Sequence, residues 1–229
     1  LRAPVELGGI ALPNMETIQD QKGITNVMRQ LQLGKEIATD LRILIAQAQL
    51  DSGLTNPILD DTSTNVSYIE PGMIMHLHDR LAKLDGSIVL EDQWCPKTQR
   101  VHDISIMKKL SQLTGVKPRE LQHANQCRKY MRVITIAEMA SLCGTHIKPN
   151  RFNGRWRAKS KLKWNRQPPP TGPMWDTFRR LIKRAFCTKN MNRAKTQNIP
   201  LDAPLGSWYN VERHIEYEVY RSQNIICKR

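Results

Sequence analysis

Between Arg151 and Arg166 the chain reads Arg-Phe-Asn-Gly-Arg-Trp-Arg-Ala-Lys-Ser-Lys-Leu-Lys-Trp-Asn-Arg. Cations recur there at every second position through Arg155, Arg157, Lys159, Lys161 and Lys163, with Phe152, Trp156 and Trp164 set among them. Alternate side chains of an extended segment point the same way, so these five can line up along a row of phosphates. Indole rings offer surfaces on which bases stack, at about 1–3 kcal/mol per base. A second cationic set, Arg180, Lys183 and Arg184, lies largely opposite the apolar side of a helix that begins near Pro173. The residues expected to meet a polyanion, nucleic acid before any other, are therefore Arg151, Arg155, Trp156, Arg157, Lys159, Lys161, Lys163, Trp164, Arg166, Arg180, Lys183 and Arg184. Charge at this density gives affinity without sequence specificity, which needs placed contacts to base edges. The same run could instead be a solvated basic loop, or a nuclear address.

The distribution of charge favours a partner. The chain has 229 residues and a net charge of +14. Residues 148–195 hold fifteen Lys and Arg against one acid, Asp176, whereas the remainder is balanced, with twenty of each sign. Solubility alone would explain a uniform excess, but not a neutral body with one cationic stretch.

Other chemistries find less support. Asp60-Asp61 follows Ile58-Leu59 in a loop, lacks the aromatic residue of the usual polymerase turn and has no third carboxylate in view, so solvated loop acids are expected rather than a two-metal centre. His76 and His78 fall about 200° apart on a helix, so they are expected in structural or surface roles rather than on one metal. Cys143 and His146 make one pair of ligands without a second. No GxSxG turn, phosphate-binding glycine loop or Ser/His/Asp arrangement occurs. No cofactor is expected. The five cysteines, odd in number and without a CxxC pair, indicate reduced thiols and an intracellular compartment. No apolar run approaches the roughly 18 residues of a membrane span. The chain opens on Leu1 in mid-pattern, as a piece of a longer polypeptide would.

The elements that must position the cationic stretch are mostly helical. Ile24, Val27, Met28 and Leu31 share one face, and Ile37, Leu41, Leu44, Ile45 and Ala48 another, with Gly34 between two helices. Residues 53–64 read as a loop. Met73, Leu77, Leu81 and Leu84 give a third helix ended by Gly86, and residues 87–91 a short strand. Ile106, Leu110 and Leu113 mark a fourth helix stopped by Gly115. The fifth starts at Pro118 and turns Leu121, Ala124 and Met131 inward. Thr135-Ile-Ala-Glu138 has the capping-box pattern and predicts a short helix to Cys143. Residues 149–172, with Pro168-Pro169-Pro170 and no core periodicity, predict an exposed arm. The sixth helix turns Trp175, Phe178, Ile182, Ala185 and Phe186 inward. Trp208 to Cys227, rich in Tyr, Val and Ile, suits a β-hairpin.

The order of these pieces resembles a known family. Ala3-Pro-Val-Glu-Leu-Gly8-Gly9-Ile-Ala-Leu-Pro13-Asn14 is similar to the segment that follows the palm in reverse transcriptases of non-LTR, LINE-like retrotransposons, with Ala11 where a second glycine is usual. Gln93-Trp94-x-Pro96-Lys97-x-Gln99-Arg100-x-His102-Asp103, Leu121-x-x-x-Asn125-x-Cys127-Arg128-x-Tyr130 and Leu205-Gly206-x-Trp208 extend the similarity over nearly the whole chain. The resemblance implies a thumb-like helical segment over 1–50, a helical body over 51–147, the basic Trp-containing arm over 148–172, and a basic amphipathic helix with a hairpin over 173–229. It implies RNA-directed DNA synthesis by a parent protein whose palm and fingers lie upstream. The parent's catalytic aspartates and Mg2+ belong to that palm, and no residue here matches its motif, so this region alone is not expected to be catalytic. Its expected partners are RNA or DNA and the upstream palm, and no membrane. A self-standing nucleic-acid-binding or scaffold protein fits the composition as well, and a hydrolase built on Asp60, Asp61 or the histidines is a third possibility.

Overall fold

The computed structural model describes residues 14–34, 36–98, 103–141, 147–160 and 162–186, and three strands within 204–228 as backbone only. The protein is mainly helical, with seven helices among the described residues. They belong to two compact units: residues 1–49, 56–65 and 69–95 make the first, and residues 50–55, 66–68 and 96–229 the second.

In the first unit, α1 (Met15–Gln32) is capped by Asn14, whose side chain accepts from the Glu16 N–H. Helix α2 (Glu36–Ser52) follows Gly34 and lends its last turn to the second unit. Its buried face is Ala38, Leu41, Ile45 and Gln49; Ile37 and Leu44, expected inside, are exposed. The reason is Gln49, a polar residue that periodicity overlooks. Its amide donates to the Asn56 carbonyl and accepts from the Ile58 N–H, both at 2.8 Å, and so replaces the backbone partners that this buried loop lacks. Helix α3 (Met73–Lys83) buries Ile74, Met75, Leu77, His78 and Leu81. It packs against α1, where Arg80 pairs with Asp20 at 3.2 Å and Lys83 with Glu16 at 2.8 Å. The strand expected over 87–91 does not form. A single backbone bond joins the Ile88 N–H to the Leu59 carbonyl, too little for a ladder.

The second unit is built on α4 (Ile106–Ser111), α5 (Pro118–Met131) and α7 (Gly172–Phe186), which pack on one another. Pro118 occupies the first position of α5, and Glu120 folds back to accept the Lys117 N–H at 2.9 Å. The core includes Met107, Leu110, Leu121, Met131, Phe178 and Ile182. At its centre lies a charge. Arg128 is fully buried and donates to the carbonyls of Leu50, Asp51 and Val133 and to Asn125 Oδ1, at 2.8–3.2 Å. Gly53, at φ +67°, lets the guanidinium approach this closely; a Cβ there would stand 2.6 Å from Cζ. Burial lowers the Arg128 pKa to about 10, so the group stays charged at neutral pH.

The capping box at Thr135 forms by half and opens no helix. Glu138 accepts the Ile134 and Thr135 N–H groups, but the Thr135 hydroxyl is buried without a hydrogen bond, and the Ala137 N–H goes to Asp103 instead. The segment is a single turn, with the Met139 and Ala140 N–H groups donating to the Ile136 carbonyl, set between bridges from Ser105 to Thr135 and from Ala140 to Ile147. Near the C-terminus, β1 (Pro204–Asn210), β2 (Ile215–Tyr220) and β3 (Ile225–Lys228) pair antiparallel in that order. Trp208 stands opposite Tyr217, and Glu218 opposite Cys227, so three strands pair where the sequence suggested two.

Candidate nucleic-acid interface

The arm begins with one helical turn, α6 (Pro149–Phe152), and its described residues from there to residue 171 have no regular structure. Gly154, at φ +69°, reverses the chain beneath Trp175, where any Cβ would strike the indole at 2.3 Å. Beyond it exposure alternates. Arg155, Arg157 and Lys159 are exposed; Trp156, Ala158 and Ser160 are half-buried. The Ala158 N–H donates to the Met131 carbonyl at 2.9 Å, tying the stretch to the end of α5. Alternation follows from extended backbone, and the inward-facing apolar residues fix which set of side chains remains outside.

The aromatic residues are engaged on one face by cations. Arg151 Cζ lies 4.1 Å from the centre of the Trp156 ring, Arg157 Cζ 3.7 Å from that of Tyr130, and buried Arg128 5.7 Å from that of Trp164. Tyr130 meets Trp175 edge-on, and Trp175 meets Phe178 in the same way, at 6.1 and 5.8 Å between centres. The arm is thereby keyed through rings into the α5–α7 core. Trp164 is held further by a hydrogen bond from its Nε1 to Ser160 Oγ at 3.1 Å.

The expected site residues have different surroundings. Arg155, Lys159, Lys163 and Arg166 are exposed. Arg151 is half-buried and donates to the Glu138 carbonyl, and burial lowers its pKa. On α7, Arg180 pairs with Glu120, Arg184 donates to the Thr114 carbonyl, and Lys183 lies 5.8 Å from the Phe152 ring. Arg180 and Arg184 thus also fasten α7 to the body of the unit. Glu120 has its pKa lowered by the Lys117 N–H and by Arg180. Lys161 lies outside the described residues, as do Cys143 and His146.

Beside the arm is an open cleft of about 680 Å³, lined by Lys129, Tyr130 and Arg132 from the end of α5 and by Arg157, Trp164, Asn165, Arg166, Gln167, Pro168 and Pro169 from the arm. Four lining residues are basic and none is acidic. No family model, curated protein or solved structure matches this chain. Lys129, Tyr130 and Arg132 were not foreseeable from charge counting, because they fall in the balanced part of the chain. The signal available was local, two cations flanking an aromatic residue in the last turn of a helix.

Asp61 accepts from Ser63 Oγ at 2.8 Å and Thr64 Oγ1 at 3.1 Å, closing its own loop. Among the described residues no group of three or more His, Cys, Asp or Glu is placed to hold a metal, and no helix is long and apolar enough to cross a membrane.

Proposed function

We propose that this chain binds nucleic acid through the basic arm and the adjoining face of α7, as the thumb and C-terminal part of a non-LTR retroelement reverse transcriptase. The observation that carries the binding half is the exposed row Arg155, Arg157 and Lys159 on an extended segment whose inward residues pack on the unit. Side chains two apart on extended chain are spaced about 6–7 Å, close to the separation of successive phosphates, so one row can neutralise several. The polymerase half is supported by the resemblance of residues 3–14, 93–103, 121–130 and 205–208. In this reading the helices grip template–primer or target nucleic acid, the palm and its Mg2+ lie upstream in the same polypeptide, and the work is intracellular.

Binding of single-stranded RNA and of duplex DNA, followed by fluorescence anisotropy across a salt series, tests the proposal. Affinity should fall with a log–log slope of about 0.7–0.9 per neutralised phosphate. Reversing Arg155, Arg157, Lys159, Lys161 and Lys163 to glutamate should flatten that slope. Weak binding indifferent to salt and to these changes would refute it. A longer reading frame with an aromatic-x-Asp-Asp palm turn upstream would support the polymerase half, whereas an initiator Met just before Leu1 would favour a self-standing binding protein.

A further inference from the structure

The cleft beside the arm differs in kind from the exposed row. The row is a line of exposed cations on extended chain, and it shares Arg157 with the cleft. The cleft is concave, and at about 680 Å³ it falls in the size range of pockets that enclose a small organic ligand. Three of its four cations are arginines, and among the described residues Arg132, Arg157 and Arg166 have no ion pair, although Arg157 rests on the Tyr130 ring; the fourth, Lys129, is paired with Asp51 at 2.8 Å. Trp164 offers an indole steadied by Arg128 and Ser160, Asn165 and Gln167 bring amides that can both donate and accept, and Pro168-Pro169 forms a stiff apolar wall. One more feature is unusual. Arg132 ends α5 in the left-handed region, φ +61° and ψ +42°, a position that glycine fills at least cost. A bulky residue held there at the edge of a pocket points to a role for its side chain rather than its backbone.

We infer that the cleft is a subsite for one unpaired nucleotide of a single strand, its phosphate among Arg132, Arg157 and Arg166 and its base against Trp164. The inference rests on the reading of this unit as a nucleic-acid binder and adds a preference to it. Duplex bases are stacked on both sides and expose only their edges, so they cannot present a face to an indole inside a concavity. An unpaired base can. The amides of Asn165 and Gln167 would then meet its hydrogen-bonding edge, while the arm's exposed row continues along the backbone on either side. RNA and DNA share this chemistry, and separate probes tell them apart.

The test uses the full chain with fluorescein-labelled oligonucleotides of about 12 nucleotides: single-stranded RNA, single-stranded DNA and the blunt duplex. Trp164→Ala should weaken single-strand binding about tenfold and leave duplex binding nearly as it was, while Trp164→Phe keeps most of the affinity. Arg132→Gly relieves the backbone, so its thermal midpoint should hold or rise while single-strand affinity falls and the salt slope shrinks by about 0.7. The subsite is overturned if Trp164→Ala and Arg132→Gly leave single-strand affinity unchanged, or lower single-strand and duplex affinity alike. If those two variants are silent while reversal of Arg155, Lys159 and Lys163 weakens every probe, the cleft fails and the binding function stands. If no probe binds in a salt-dependent way, the binding function fails, and the subsite with it.

Discussion

Arg128 and Arg155 lie in one compact unit and are the same chemical group put to opposite uses. Arg128 has lost its water and is surrounded by three backbone carbonyls and an asparagine oxygen, so its five donors are largely consumed by the fold. Arg155 projects from the arm into solvent and is anchored by its backbone, whose N–H donates to the Asn150 carbonyl at 2.9 Å. A buried guanidinium left without partners costs far more than its hydrogen bonds return, which is why it comes with a full complement of acceptors. An exposed one costs little and contributes little to stability. Charge inside this unit fixes the ends of α2 and α5 to one another; charge outside it is available to a partner.

The largest expected effect breaks the inner half of that contrast. Arg128→Met keeps much of the stem but strands the carbonyls of Leu50, Asp51 and Val133, and should lower unfolding free energy by about 4 kcal/mol in urea titrations. Gly53→Ala attacks the same contact from the other side, forcing a Cβ into the guanidinium and an L-residue into positive φ. A loss of about 1–3 kcal/mol is expected by the same measurement. Against these, the triple change Arg155→Glu, Lys159→Glu and Lys163→Glu should shift stability by no more than about 0.5 kcal/mol per site while weakening RNA and DNA binding. A large stability loss there would mean that the arm's cations serve the fold after all.

The smallest effect concerns Glu138, which shares the interior with Arg128. Burial raises its pKa above the ordinary 4.5, opposed by the Ile134 and Thr135 N–H groups and by Arg128. A carboxyl whose pKa is higher in the folded chain holds its proton there in preference to the unfolded chain. Its contribution to stability is complete below about pH 4.5 and is lost as pH rises through the raised value. Glu138→Gln keeps the acceptor and removes the titration. The difference between wild-type and variant unfolding free energies should therefore change between mildly acidic and neutral pH, and be flat below it.

Much of the helical frame was legible in the residues. Pro118, the break at Gly34 and the apolar spacing of α5 and α7 are local rules, and the observed helices obey them. At α2 and at Thr135 the structure departs from those rules because a polar side chain takes up a backbone group. Gln49 turned α2 so that Ile37 and Leu44 face out, and Asp103 took the Ala137 N–H and left the Thr135 hydroxyl without a bond. Periodicity counts apolar side chains and is blind to a buried amide that repairs a distant loop. The candidate site divides in the same way. The cationic row, its alternation and its aromatic neighbours could be read directly, because charge and period two are properties of the string.

The amino-acid sequence by itself thus determined that the chain is mainly helical and that its excess positive charge is confined to one stretch. Tertiary structure alone decided which cations are consumed and which remain available. Arg128 vanished into the core, Arg180 and Arg184 were drawn into contacts with Glu120 and Thr114, and Arg132 and Tyr130 joined a cleft with residues more than twenty positions away. The physical reason is that the worth of a charge depends on its surroundings. A guanidinium in water and one among carbonyls differ by several kcal/mol in what they cost, and only folding assigns each to its place.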